Sequence, residues 1–350
     1  MIPFRHRMIG AGLAALEHVP LHRVSGSSLR GRGAILTFHH VRPWAASTFA
    51  PHRLLEIEPA FLERLLQSLR RSGTCIVSLD DVPALLCDPA SEPFVALTFD
   101  DGYRDNLEIA LPILEKYDAP FTLFATTGFL DRTAPLWWID LATAVGRLDQ
   151  VAIEVGGVQV RRRAKTAAEK GRAFAALLRE LERVDDLTRL AVVKILAEQS
   201  GVDSRATLDR LCMSWSELDH LAAHPLAAVG CHTLTHPRLS RVSRDEAARE
   251  LTVSRTRLEE RLGVNVRHLA YPYGYTGAAG SREFTLARDL GFETAVTTRP
   301  GVLFPEHAAH LTALPRVSMN GLWQRVEAVE VLLSGLPFAL WNKGRRLNVT

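Results

Sequence analysis

The sequence predicts an α/β fold, a distorted (β/α)7-8 barrel with a helical insertion. Short apolar runs typical of strands alternate with runs typical of helices, which indicates parallel βαβ units. At least six strand-like runs occur in the chain, which favours a closed barrel over a two-layer sandwich. Several of these runs end at polar clusters, and the chemistry of such barrels gathers at the C-terminal ends of the strands.

Seven runs have the composition of strands. They cover residues 34–38, 75–79, 94–99, 121–126, 227–231, 268–271 and 292–297. The run at 94–99 is almost continuously apolar, as in a parallel strand buried on both faces. The residues at their ends also predict two helices. One opens at Pro59 and stops before Gly73, and the other opens with the capping pattern of Ser243 and Glu246.

These patterns divide the chain into an N-terminal arm or helix (1–33), the barrel (34–322) and a C-terminal helix or tail (323–350). Within the barrel, residues 161–212 contain no convincing strand and interleave charged residues with Ala and Leu at helical spacing. We expect a helical insertion there, packed on the barrel. The apolar run at 331–341 precedes basic residues, so it is predicted as a buried terminal helix or as a peripheral membrane contact.

Composition and charge limit the classes of function. The 350 residues include 42 Lys and Arg against 39 Asp and Glu, and a net charge of +3 gives no basis for a nucleic-acid partner. No apolar run approaches the ~18 residues of a transmembrane helix. The four cysteines form no CxxC pair and are expected to be reduced. The run at 8–16 resembles a signal peptide only loosely, so a cytoplasmic location is expected.

Histidines four residues apart occur three times. The pairs are His18/His22, His220/His224 and His232/His236. The first lies in the N-terminal arm and the second in a predicted helix. His232 and His236 directly follow the strand at 227–231, where the backbone can hold two imidazoles still enough to bind a metal. A metal-ligand pair is the favoured interpretation, structural histidines are the alternative, and the absence of Glu between them excludes HExxH.

Asp100 and Asp101 stand where the buried strand 94–99 turns outward before Gly102. Adjacent carboxylates repel each other, and desolvation makes both charges costly unless a cation neutralises one of them. The structural alternative is a cap for the following helix, for which one Asp would suffice. A metal and a base together account for both residues. One carboxylate joins the two histidines as a ligand, and the other stays free to act as a base.

Three segments together resemble the motifs of one enzyme family. Residues 97–103 read LTFDDGY, residues 232–237 read HTLTHP, and residues 270–274 read AYPYG. They are similar to the first three motifs of the NodB-homology polysaccharide deacetylases (carbohydrate esterase family 4). The similarity runs from about residue 34 to residue 320. It implies a distorted (β/α) barrel, one divalent metal, and hydrolysis of N-acetyl groups from glycans that contain N-acetylglucosamine.

Carried over to this sequence, the family pattern makes Asp101, His232 and His236 the metal ligands. It makes Asp100 the general base. Three protein ligands leave the open position that a catalytic metal needs for water. The resemblance implies Zn²⁺ most simply, although Co²⁺, Ni²⁺ or Fe²⁺ suits the same ligands.

The third motif matches the family only in part. The resemblance places an oxyanion-binding backbone N–H at Tyr273, directly after Pro272. Commoner members begin this motif with an Arg that orients the base, and Ala270 stands there instead. We therefore take Arg316 as a hypothetical base-orienting partner of Asp100, since a guanidinium can pair with both carboxylate oxygens.

The general acid is a second departure from the family. Many members supply a His from a late Leu-x-His motif, but residues 314–318 read LPRVS. A sub-group with an F/Y-H motif near the N-terminus resembles this chain at Phe38, His39 and His40. His39 matches the motif position and is preferred over His40 as the acid. The alternative is that both histidines only pack at the barrel mouth.

The resemblance thus implies a hydrolase of linear amides, an N-deacetylase acting on a chitooligosaccharide or on an exopolysaccharide or capsule precursor. A hydrolase of a small non-sugar amide or cyclic imide is the first alternative. A catalytically silent glycan-binding module is the second, and the intact Asp-His-His set argues against it. Five aromatic residues near the motifs offer surfaces for sugar rings or for core packing: Tyr103, Trp137, Trp138, Tyr271 and Tyr275.

Overall fold

A ring of parallel strands forms the centre of the protein, for which a computed structural model describes residues 4–17, 27–44 and 47–349. The strands in chain order are β1 (Gly33–Phe38), β2 (His40–Val41), β3 (Glu56–Ile57), β4 (Cys75–Val77), β5 (Phe94–Phe99), β6 (Phe121–Ala125), β7 (Gln150–Val155), β8 (Val158–Arg163), β9 (Ala227–Cys231), β10 (His268–Ala270), β11 (Thr294–Pro300) and β12 (Leu314–Ser318). The ring runs β1-β12-β11-β10-β9-β6-β5 and closes where β5 pairs with β1 along their whole length. The predicted distorted (β/α) barrel is confirmed, with seven strands.

Two strands differ from the sequence prediction. The run expected at 75–79 forms β4, which pairs with the N-terminal half of β5 and stays outside the ring. The seventh place belongs to β12, which was not predicted as a strand. Pro315 concealed it, because a proline inside a run argues against a strand. The β11–β12 ladder shifts register between Val296 and Pro300, and such irregular places tolerate proline.

Helices cover the outside of the ring. In chain order they are Phe4–Glu17, Ser27–Arg30, Pro59–Arg71, Val82–Cys87, Leu111–Lys116, Thr127–Leu130, Trp137–Arg147, Ala167–Leu181, Asp186–Ser200, Ser204–Leu211, Trp215–Ala222, Arg244–Leu262, Ser281–Asp289, Val326–Leu333 and Leu336–Trp341. Short 3₁₀ or π turns lie at Arg53–Leu55, Asn106–Ala110, Leu239–Arg241, Pro305–Ala309 and Leu311–Ala313. The expected cap is present, because Ser243 Oγ accepts from the N–H of Glu246 at 3.1 Å.

At the end where the strands begin, the barrel interior is apolar and closed. Side chains from six strands fill it: Ile35, Ala96, Phe124, Ala270, Val296 and Leu314. Helix Val82–Cys87 packs Val82 and Leu86 against this cluster. The polar motifs lie at the opposite end, where the strands finish, as expected for this class of barrel.

The insertion lies between β6 and β9 and begins with a β-hairpin, the antiparallel pair β7–β8. The hairpin corrects the expectation that 161–212 contains no strand, since residues 161–163 lie in β8. Its signal was present in the sequence: β-branched residues occupy every second position of QVAIEV at 150–155, and two glycines follow. In the structure these positions are buried, and Gly156 and Gly157 make the turn. Three helices follow as expected: Ala167–Leu181, Asp186–Ser200 and Ser204–Leu211.

The C-terminal apolar run is only partly covered. Phe338 is buried, whereas Leu340 and Trp341 are 68% and 45% exposed. Peripheral membrane contact therefore stays a prediction. Among the residues that the structure describes, no helix is long and apolar enough to span a membrane. His18 and His22, with part of the predicted N-terminal arm, lie outside the described residues.

Candidate metal centre

Two strand ends bring one carboxylate and two imidazoles to a single point. Asp101 follows β5 and His232 follows β9, and both strands pair with β6 in the ring. His236 reaches the same point from the loop after β9. One ligand atom from each residue lies within 4.8 Å of the other two, and all three residues are buried.

The spacing of these atoms fits a tetrahedral divalent ion. Nε2 of His232 and Nε2 of His236 each lie 3.4 Å from Oδ1 of Asp101, beyond the range of a good hydrogen bond. Two ligand atoms at 2.0–2.1 Å from a tetrahedral Zn²⁺ lie roughly 3.4 Å apart. Oδ1 of Asp101 is also buried without a hydrogen-bond partner among the described residues. A bound cation would satisfy this oxygen, so the residues fit the metal that the family implies.

The backbone sets the tautomer of His232, and the charges around Asp101 set its ionisation. The Nδ1–H of His232 donates to the carbonyl of Ala270 at 2.7 Å, which leaves the Nε2 lone pair free. Burial lowers the pKa of His232, but Asp101 and Asp100 outweigh burial and raise it above its ordinary value, so metal binding would displace a proton from this imidazole. Burial raises the pKa of Asp101, but the neighbouring imidazoles outweigh burial and hold this pKa well below its ordinary value. The carboxylate is therefore ionised at neutral pH, as a ligand must be.

Backbone strain is concentrated at this site. Asp101 (φ 74°), His236 (φ 60°) and Tyr273 (φ 60°) all lie in the left-handed region. This region costs a non-glycine residue about 1–3 kcal/mol. The three residues belong to three different motifs, so each motif stores strain where its functional side chain turns into the site. Such strain persists only where the surrounding packing over-determines the conformation.

Asp100 is paired with Arg316, the partner that the sequence suggested as a hypothesis. Nη1 and Nη2 of Arg316 donate to Oδ1 and Oδ2 of Asp100 at 2.8 and 2.7 Å. Burial raises the pKa of Asp100, but the guanidinium outweighs burial and the pKa lies below its ordinary value. The Nε of Arg316 donates to the carbonyl of Thr297 at 2.8 Å, and Arg316 is 1% exposed. The pair fixes both the charge and the orientation of Asp100.

His39 lies half-buried directly after β1, within electrostatic reach of both aspartates. Burial lowers its pKa, and the carboxylates of Asp101 and Asp100 raise it by less, so the net pKa is below 6.5. The imidazole is mostly neutral at pH 7, and its protonated form is a stronger acid than ordinary imidazolium. This position agrees with the ring of strand ends expected for the acid.

His40 packs beside the site and contacts Asp105 and Tyr103. Its Nδ1–H donates to Oδ2 of Asp105 at 2.6 Å. Its ring stacks on Tyr103 with 3.6 Å between the ring centroids. His40 is 2% exposed, and its contacts with Asp105 and Tyr103 suit a structural role, while its buried Nε2 has no partner among the described residues. The contrast favours His39 as the candidate acid.

Tyr273 forms one wall of the site. Its ring centroid lies 4.9 Å from that of His236, and Trp137 Nε1–H donates to its hydroxyl at 2.9 Å. Burial raises the pKa of Tyr273 to about 12, so the phenol is neutral. Within the part of the chain that the structure describes, its backbone N–H donates no hydrogen bond. This donor, next to the buried Pro272, is free to bind an oxyanion.

The other aromatic residues divide between the site and the core. Trp138 packs its ring 5.0 Å from that of His236, and Tyr103 is fully buried. The hydroxyl of Tyr271 donates to the carbonyl of Thr312 at 2.8 Å, and Tyr271 is fully buried, so it belongs to the core. Tyr275 is 46% exposed and could meet a sugar ring.

The insertion adds a charged residue that sequence reasoning missed. Arg189 is 3% exposed, and its Cζ lies 4.5 Å from the ring centroid of Trp137 and 5.8 Å from that of Tyr273. In the sequence it is one of many charged residues at helical spacing, a pattern typical of a solvated face. No local signal distinguishes it from the others.

A family model described as Polysaccharide deacetylase matches residues 88–295. No curated protein matches the chain in sequence. The deacetylase PplD of Streptococcus pyogenes, solved in complex with acetate, is similar in fold: 20% identity, 82% of this chain and 92% of that chain covered, TM-score 0.54. IcaB from Ammonifex degensii has 19% identity, with 86% and 97% covered and TM-score 0.53. A polysaccharide deacetylase from Bacillus cereus has 17% identity, with 86% and 68% covered and TM-score 0.54.

At such identities the solved structures show a shared fold, and the family model shows the family. Its match covers more than half of the chain. It includes the strand ends that carry Asp100, Asp101, His232 and His236, together with the segment of Tyr273. The chain belongs to the polysaccharide deacetylase family, hydrolases that act on the amide bonds of acetylated sugars.

Proposed function

We propose that this protein is a metal-dependent N-deacetylase acting on N-acetylglucosamine-type residues of an oligo- or polysaccharide. The observation that carries the proposal is the Asp101–His232–His236 group, which lies directly beside the Arg316-bound Asp100 at the strand ends. The proposed substrate is a chitooligosaccharide or an exopolysaccharide or capsule precursor. The complex of the similar PplD with acetate supports the reaction class, because acetate is the product that deacetylation releases.

Asp101, His232 and His236 would hold one divalent cation, and Zn²⁺ suits a set of one carboxylate and two imidazoles. A cation bound there supplies a Lewis acid that lowers the pKa of water and polarises a carbonyl. The carbonyl of Ala270 keeps His232 in the ligand tautomer.

Asp100 would accept the proton of the attacking water. Arg316 keeps its carboxylate ionised and oriented, so proton transfer requires no reorganisation of the side chain. A positioned general base of this kind contributes about 10²–10⁴-fold to the rate. The direct chain connection to Asp101 places the base beside the ligand group.

His39 would protonate the departing amine, because an amide anion is a poor leaving group. Its lowered pKa makes the protonated imidazole a strong acid in that step. The backbone N–H of Tyr273, without a partner in the described part of the chain, would donate to the oxyanion of the tetrahedral intermediate. The base, the acid and the oxyanion donor thus come from three different strand ends.

The test is acetate release from N-acetyl-chitooligosaccharides and from an N-acetylated exopolysaccharide. Metal-stripped protein should be inactive, and Zn²⁺ or Co²⁺ should restore release. The Asp100→Asn variant should still bind the metal but release acetate about 10²–10⁴-fold more slowly. Binding of the glycan without release by the restored enzyme would indicate a silent binding module. Turnover of a cyclic imide or small amide, with none of either glycan, would indicate the other hydrolase.

A further inference from the structure

Asp186 joins the insertion to the loop that carries a metal-ligand candidate. Its Oδ1 lies 2.8 Å from Nη2 of Arg189 and 3.1 Å from Nη2 of Arg238. Its Oδ2 accepts from the backbone N–H of Arg238 at 3.1 Å. Both arginines are nearly inaccessible, at 3% and 2% exposure, so the carboxylate is required to balance buried charge. We call Asp186, Arg189 and Arg238 the clamp.

The first arm of the clamp is the set of contacts that Arg238, close to His236 in the sequence, makes with the insertion. Arg238 lies two residues after His236 in the loop beyond β9. Its Nη1 and Nη2 donate to the carbonyls of Glu182 and Val184, each at 2.9 Å. These carbonyls follow the end of helix Ala167–Leu181. The His236 loop is therefore bound to two successive helices of the insertion.

The second arm of the clamp is a series of contacts from Arg189 through two aromatic rings to His236. The guanidinium of Arg189 lies over the ring of Trp137, whose Nε1–H donates to the hydroxyl of Tyr273. The Tyr273 ring in turn lies against the ring of His236. Nε of Arg189 is buried without a hydrogen-bond partner among the described residues, so Asp186 and the ring faces hold this side chain. A planar guanidinium suits such stacking, which an ammonium cannot reproduce.

The two arms meet at strained backbone. His236 and Tyr273 both have φ of 60°, a conformation that persists only where several contacts enforce it. We propose that Arg189 is a positioning residue of the metal centre: acting through Trp137 and Tyr273, it holds His236 with Nε2 towards Asp101. The inference rests on the proposed metal-dependent function. It implies that the insertion, through Arg189, helps to position a metal ligand.

The test compares Arg189→Met and Arg189→Lys with a matched control, Lys194→Met. Lys194 lies in the same helix, Asp186–Ser200, and its side chain is 78% exposed. Co²⁺ is titrated into each metal-stripped protein, and its visible absorption reports the ligand geometry. Loss of a group that orients a ligand typically weakens metal binding about 10–100-fold, which we expect for Arg189→Met with an altered spectrum. Arg189→Lys should be intermediate, and Lys194→Met should match the parent.

Hydrogen exchange of residues 232–238 in the metal-free proteins supplies a readout that needs neither metal nor substrate. Faster exchange in Arg189→Met than in Lys194→Met supports the positioning of the His236 loop by Arg189. Failure of the parent to bind Co²⁺ would instead overturn the proposed function, and with it the role of this positioning in a metal centre. Parent-like exchange and Co²⁺ affinity in Arg189→Met would overturn the inference. If that variant does not fold, Trp137→Phe decides, because it keeps an aromatic ring and removes the donor to Tyr273. Parent-like Co²⁺ binding and exchange there also overturn the inference.

Discussion

The two ends of the barrel each bury a histidine beside a carboxylate but treat the ring nitrogens differently. Where the strands begin, Nδ1 of His268 lies 2.8 Å from Oγ1 of Thr294, and Nε2 lies 2.5 Å from Oδ1 of Asp80. Where the strands finish, Nδ1 of His236 has no partner among the described residues. Its Nε2 lies 3.4 Å from Oδ1 of Asp101, itself unpartnered there.

The comparison of His268 with His236 distinguishes a histidine that stabilises the fold from one that is a candidate metal ligand. His268 has both nitrogens satisfied, so it stabilises the fold and offers no atom to a ligand. A buried polar atom without a partner costs about 1–3 kcal/mol, and a bound cation would satisfy Oδ1 of Asp101. Burial and charge are present at both ends, so they do not mark the working end. The site is marked by a combination: Oδ1 of Asp101, unpartnered in the described part of the chain, coincides with positive φ at Asp101 and His236.

Asp101→Asn should have the largest effect, because it removes the carboxylate ligand from the end of the barrel where the strands finish. We expect loss of detectable acetate release and of Zn²⁺ binding, because the neutral amide is a poor ligand. The free energy of unfolding of the metal-free protein should fall at neutral pH, since the imidazoles lose the carboxylate whose pKa they lower, while Asn tolerates the positive φ. Acetate assays, metal titration and urea unfolding measure the three quantities. Retained metal-dependent release would refute the ligand assignment.

His39→Gln and His40→Gln form a matched pair at the working end. We expect His39→Gln to lower kcat by about 10²–10⁴-fold, since the leaving amine loses its acid. His40→Gln should lower the free energy of unfolding by about 1–3 kcal/mol, because Asp105 loses its partner, with little effect on kcat. Steady-state kinetics and urea unfolding on both variants check this. The reverse pattern would move the acid to His40.

Arg316→Met should cost both activity and stability, because it leaves the Asp100 charge buried without a partner. Breaking a buried ion pair from one side costs about 3–5 kcal/mol of unfolding free energy, measurable by urea titration. The double variant Arg316→Met/Asp100→Asn should recover part of this stability and none of the activity. Equal stability of the single and double variants would contradict the charge-pair explanation.

Asp80→Asn tests the end of the barrel where the strands begin and where both ring nitrogens of His268 have partners. It should have the smallest effect. The hydrogen bond from His268 lowers the pKa of Asp80 below its ordinary value of 3.8. The carboxylate therefore contributes stability above pH 3.8, and this contribution is lost as the pH falls through the lower folded-state pKa. Because the side chain is 33% exposed, we expect about 1 kcal/mol.

The measurement is the free energy of unfolding of both proteins between about pH 5 and pH 2. The parent should lose more stability over this range than the Asp80→Asn variant, and acetate release at neutral pH should be the same for both. A loss of release in this variant would show that the two ends are coupled.

The sequence located the working end because its signals are local. Asp100 and Asp101 directly follow a continuous apolar strand, and His232 directly follows another. Strand composition and the polar residues that end a strand act over a few neighbouring residues, so they can be read without the fold. The hairpin β7–β8 carried the same kind of signal and was overlooked among the charges of the insertion.

The amino-acid order alone predicted the barrel class and the grouping of Asp100, Asp101, His232 and His236, since side-chain chemistry and backbone preference act at short range. His39 as the acid came from the resemblance to a family and stays a prediction. Only the tertiary structure placed β12 in the ring despite Pro315. The pairing of Arg316 with Asp100 across 216 residues of chain was a hypothesis of the sequence, and the structure shows it. The tertiary structure alone laid Arg189 of the insertion over Trp137. These contacts join residues far apart in the chain, and the packing of the whole barrel selects them, which no short-range pattern encodes.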